Sequence, residues 1–116
     1  MPRHFEQAPG LHDDAVPETE GYVFNQTMMR IRDPRLSLDF YTRVMGMRLV
    51  RKLDFPEMKF TLFFLTYLDD RQAQMVPGDD GHRTTFTFGR EAMLELTHNW
   101  DVEQYDLGNG YGHIAL

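Results

Sequence analysis

The chain has 116 residues, 41% hydrophobic and 13% aromatic, which suffices for one packed domain. Twelve Lys and Arg against eighteen Asp and Glu leave a net charge of −6, the wrong sign for gripping a phosphate backbone, so nucleic acid is not an expected partner. The absence of cysteine excludes disulfides, thiolate metal centres and a Cys nucleophile, and any metal must be held by nitrogen and oxygen donors.

Residues 1–21 are rich in Pro, Asp, Glu and Gly without an apolar period and read as a flexible arm. They lack the basic-then-apolar layout of a signal peptide, and no apolar run approaches the roughly 20 residues that span a bilayer. A soluble, cytoplasmic protein with no membrane partner is expected. From Tyr22 to Ile31 the pattern is that of a strand with both faces partly covered, which puts Gln26 and Arg30 on one face. Asp33-Pro34 signals a helix start, with the Asp side chain as cap and Pro in the first turn. Leu38, Tyr41, Val44 and Met45 then recur at helical spacing, with Phe40 at the border, and Gly46 ends the helix.

Met47 to Leu53 and the apolar run Phe60 to Leu68 read as two antiparallel strands joined by a DFPEM turn at Pro56. The segment 69–81 is polar, contains Pro77-Gly78, and reads as a surface loop or insertion. Its neighbour TTFTF, Thr84 to Phe88, reads as a short extra strand. In the stretch from Glu91 to His98, alternation puts Met93, Glu95, Thr97 and Asn99 on one face and Leu94, Leu96 and His98 on the other. A turn-rich DLGNGYG follows, and GHIAL reads as the opening of another strand. The order is strand, helix, strand, strand, strand.

Three polar residues stand out because each sits in an apolar stretch, where burial is costly without a partner: Gln26, Glu95 and His113. Taken singly, each has a plainer explanation. Gln26 reads as a half-exposed polar strand residue, Glu95 as an edge-strand carboxylate, and His113 as a satisfied core histidine. His98 is assigned to structure, and His4, His12 and His82 to solvated segments. No HExxH spacing is present.

The stretches QTMMRIRDPRLSLDFYTRVMGM, RKLDFPEMKFTLFFLTY and LELTHNWDVEQYDLGNGYGHIAL resemble the glyoxalase I (lactoylglutathione lyase) family of the vicinal oxygen chelate superfamily, from Phe24 to Leu116. The resemblance implies an α+β fold built on a βαβββ module over residues 22–100. Residues 101–116 are expected to be a linker and the first strand of a second module that would continue past Leu116. It further implies a metal held by Gln26, Glu95 and His113, with Glu95 also the catalytic carboxylate of this stretch. Arg30 and Asn99 would hold the glutathione glutamyl group, and Phe55, Met58, Leu62 and Phe64 an apolar substrate pocket. The last four would serve equally as core or interface residues.

Zinc is the expected metal on this resemblance, with nickel or cobalt also accepted by an N/O site. The implied reaction is isomerisation of the glutathione–methylglyoxal hemithioacetal to S-D-lactoylglutathione, in a homodimer with shared sites. The family's second, C-terminal Glu has no counterpart in these 116 residues, so this chain alone is expected to be catalytically weak. A basic residue that many members carry four positions before the His is Asn109 here. A non-catalytic βαβββ binding module is the alternative. An iron dioxygenase is disfavoured by Gln26, since such sites use two His and one carboxylate.

Overall fold

The computed structural model describes residues 3–106, 108–110 and 112–116. Four strands, β1 (Gln26–Arg30), β2 (Arg48–Phe55), β3 (Phe60–Thr66) and β4 (Met93–Asn99), form one sheet in the order β1-β4-β3-β2. β1 runs parallel to β4, and the other pairs are antiparallel. Helix α1 (Pro34–Asp39) crosses from β1 to β2, which gives the βαβββ order expected from the alternation. Among the described residues before β1 the structure holds only a short 3-10 turn, Pro17–Thr19.

The sheet divides its side chains by parity. On one face Ile31, Met47, Phe63, Leu65, Leu94 and Leu96 form a core closed by Leu38 of α1 and by Tyr41 just beyond it. On the other, Val50, Phe64, Leu68 and Met93 are covered by Ala73, Val76 and Phe86 from the stretch between β3 and β4. That stretch corrects two expectations. Segment 69–81 contains a helix, α2 (Asp70–Gln74), opened by a capping box in which Asp69 and Gln72 exchange side-chain-to-backbone bonds. TTFTF is not a strand but lies inside helix α3 (Asp80–Gly89).

Capping and packing explain why β-prone residues turn helical here. Asp79 accepts from the His82 N–H and starts α3. Thr85 and Thr87 spend their hydroxyls on the carbonyls four residues back, Gly81 and Arg83. Thr87 is fully buried, and Phe88 meets Phe64 edge to face at 5.1 Å. Tertiary burial therefore overrides strand propensity.

A smaller correction concerns the stripe on α1. The helix continues as a π-helical turn, Phe40–Val44, where Met45 N–H reaches back to the Phe40 carbonyl. The wider turn rotates the following residues, so Val44 faces solvent while Met47 is buried. Gly46, at φ 80°, then ends the helix.

Leu96 is fully buried at the centre of the α1-side core, so Leu96→Ala is expected to cost about 2–5 kcal/mol in urea unfolding. The caps give a pH signature. The Arg35 backbone N–H holds the Asp33 carboxyl below its ordinary range, and the His82 backbone N–H, then its imidazole, does the same for Asp79. Because both are depressed on folding, their stabilisation is present above pH about 4 and is lost as pH falls through the lowered folded values. Carboxyl-carbon NMR titration should give both midpoints below those of the same residues in the urea-unfolded chain.

Candidate functional site

The register places Gln26 beside Met93, Met28 beside Glu95 and Arg30 beside Thr97, all on the face away from α1. Across the sheet, Glu95 neighbours Phe64, Thr97 neighbours Leu62, and Asn99 neighbours Phe60, which in turn pairs with Phe55. A polar column on β1 and β4 thus stands against an apolar column on β2 and β3.

At the head of the polar column, the Gln26 Nε2 amide donates to Glu95 Oε1 at 2.9 Å. The Thr97 hydroxyl donates to Glu95 Oε2 at 3.3 Å. Glu95 is half-buried, and among the described residues no Lys or Arg pairs with it. Gln26 Oε1 is buried with no hydrogen-bond partner. An orphaned amide oxygen ordinarily costs about 1–3 kcal/mol, so the arrangement is expensive as it stands. In this rotamer the amide nitrogen faces Glu95; an amide that turned its unpartnered oxygen toward the carboxylate would make, with it, a donor set suited to a hard or borderline divalent ion.

Farther along the column, Arg30 is exposed, and its guanidinium has no hydrogen-bond or ion-pair partner among the described residues. Asn99 is half-buried on the same face, at the end of β4. Phe55 and Phe60 stack at 4.7 Å, with Leu62 half-buried beside them. Met58 is exposed in the β2–β3 turn, and Phe64 is fully enclosed under α3, where it supports the apolar wall from beneath.

His113 is exposed and makes no hydrogen bond to Gln26 or Glu95. Residues 112–116 form no strand, in contrast to the expectation for GHIAL, since a strand needs a partner edge and this segment finds none in the single chain. Instead Ile114, Ala115 and Leu116 line a largely apolar cavity of about 640 Å³ with Thr27, Met29 and Leu94 on the α1 side of the sheet. Two of the three expected donors therefore meet within the chain, and the third does not. Among the described residues no group of three His, Cys, Asp or Glu side chains converges. His98 lies in a polar cleft with Arg32, Asp33 and Glu103, away from the Gln26–Glu95 face. Sequence reasoning missed Thr97 as the second donor to Glu95, although its place two residues along the same strand face signals it.

Residues 23–116 match the Glyoxalase/Bleomycin resistance protein/Dioxygenase superfamily. The chain belongs to this superfamily. Among its members, the chain is 48% identical to a lactoylglutathione lyase of Pseudomonas aeruginosa over 96% of its own length. It is 44% identical to that of Pseudomonas putida over 93%. It spans 66% of the length of each of those two relatives. Among solved structures, glyoxalase I of Leishmania major, described as trypanothione-dependent, superposes with a TM-score of 0.59 at 36% identity. That match covers 82% of this chain and 55% of the other. Glyoxalase I of Zea mays gives 0.54 at 33% identity, covering 73% and 24%.

In this superfamily member, Glu95→Gln keeps the shape of the carboxylate and removes its half-buried charge. In chelator-treated protein the substitution is expected to raise the melting temperature by about 4 °C, or about 1 kcal/mol. Differential scanning calorimetry checks it; an unchanged or lower melting temperature refutes the idea that the site stores instability.

Proposed function

We propose that this chain carries the metal-binding and substrate-gripping half of a lactoylglutathione lyase, acting on the hemithioacetal of glutathione and methylglyoxal to form S-D-lactoylglutathione. The observation that carries this reading is the orphaned Gln26 Oε1 beside Glu95, on the same face as the free Arg30 guanidinium. Gln26 and Glu95 would hold a divalent ion, zinc first and nickel or cobalt next, and His113 would join them from a second copy in a homodimer. When bound, such an ion supplies Lewis-acid stabilisation of the charge that develops on the substrate oxygens as the carbon-bound proton leaves.

The residues of this chain do the rest of the recognition. Arg30 offers a planar, permanently charged fork for the carboxylate of the glutamyl end, and Asn99 adds amide donors and an acceptor on the same face. The stacked Phe55 and Phe60 with Leu62 give the methylglyoxal end an apolar, water-poor wall. Glu95, oriented by Gln26 on one oxygen and Thr97 on the other, would serve as the carboxylate of this face for the proton. No helix among the described residues is long and apolar enough to cross a membrane. That fact and the cysteine-free composition support a cytoplasmic setting.

A second reading, a non-catalytic binding module of the same fold, is favoured by His113 lying off the Gln26–Glu95 pair in the single chain. Calorimetric titration of dialysed protein with zinc, nickel and cobalt separates the readings. Stoichiometric binding, weakened at least about tenfold by Gln26→Ala or Glu95→Gln, is expected. Thioester formation from methylglyoxal and glutathione above the spontaneous rate then marks the enzyme. Absence of binding by all three metals would sink the metalloenzyme reading.

A further inference from the structure

The parallel ladder between β1 and β4 does not close as a regular ladder would. The Ile31 N–H donates to the Thr97 carbonyl at 2.9 Å, and in an unbroken parallel pair the Ile31 carbonyl would next accept from the Asn99 N–H. Instead the Asn99 N–H donates to the Tyr105 hydroxyl at 3.3 Å, and that hydroxyl donates to the Ile31 carbonyl at 3.1 Å. A phenol oxygen is inserted into the last rung. Donor and acceptor are therefore joined through the phenol oxygen in place of a direct hydrogen bond, and the strand ends splay at that rung.

The splay falls where it bears on recognition. Asn99 is the residue whose N–H is diverted, and Arg30 immediately precedes the residue whose carbonyl is capped. Those two side chains share the site face, Arg30 standing opposite Thr97 and Asn99 two residues farther along β4. We propose that Tyr105 is a positioning residue whose inserted hydroxyl sets the separation of Arg30 and Asn99 and fits that pair to the amino-acid end of a γ-glutamyl ligand. The proposal rests on the glutathione reading above for the identity of the ligand, but the inserted rung stands on its own geometry.

A purely structural role predicts a different outcome. Without the hydroxyl, the Asn99 N–H and Ile31 carbonyl can pair directly, so Tyr105→Phe leaves the fold intact while narrowing the gap. The zinc-loaded protein and its Tyr105→Phe variant are titrated with S-hexylglutathione and with S-hexylcysteinylglycine, which lacks the glutamyl group. The variant should bind S-hexylglutathione about tenfold more weakly and S-hexylcysteinylglycine unchanged, with the Asn99 amide resonance shifted in the ligand-free NMR spectrum. In turnover, KM should rise while kcat holds. Equal losses for both ligands, or no loss for either, would overturn the positioning role while leaving the glutathione reading intact. If the unsubstituted protein binds neither ligand, the glutathione reading fails and takes the ligand assignment with it. An unshifted Asn99 amide overturns the inserted rung itself.

Discussion

A carboxylate and an amide, half-buried and hydrogen-bonded to each other across two strands, are the constraint around which the rest of this structure is arranged. Glu95 and Gln26 come from neighbouring strands, and only the parallel register of β1 on β4 lets one side chain reach the other. Thr97 takes up the second carboxylate oxygen, so neither donor group is free to swing into solvent. The one oxygen left over, the buried Gln26 Oε1, adds nothing to the fold where it stands.

The sheet meets that demand by separating its tasks. Its α1 face is a conventional apolar core, with Leu65 and Leu96 fully enclosed, and carries most of the burden of stability. The opposite face is packed only at one end, where α2 and α3 lie over Val50 and Phe64, and it leaves the β1 and β4 polar column open. α3 is anchored there partly by Arg51, whose guanidinium reaches Asp80 and Thr84. The insertion therefore acts as an end wall. It encloses Phe64 and leaves the half-buried Phe55, Phe60 and Leu62 as the accessible apolar surface next to the polar column.

What the sequence made legible follows from short-range periodicity. Alternation in MLELTHN assigned Glu95, Thr97 and Asn99 to one face and the two leucines to the other, and Asp33-Pro34 marked the start of α1; both readings match the structure. The misreadings arise where the deciding interaction is remote or local geometry departs from the ideal period. Thr84–Phe88 looks like a strand until the Asp79 cap and the sheet beneath are known. Val44 leaves the stripe because one π turn breaks the 3.6 period. The Tyr105 bridge joins residues 74 apart, and no sequence window reports it. Ile114, Ala115 and Leu116, which follow His113, rest on the α1 side of the sheet.

The pairing of the first strand with the last also bears on how the molecule is made. Gln26 and Glu95 are 69 residues apart, so closing that contact requires nearly all the intervening chain to be ordered first. The hairpin of β2 and β3 needs only a tight turn and can form early, whereas β1 must wait for β4. During synthesis, a chain that has not yet emerged past Asn99 cannot complete the pairing of β1 on β4. The contact between Gln26 and Glu95 is thus a late event, coupled to completion of the sheet.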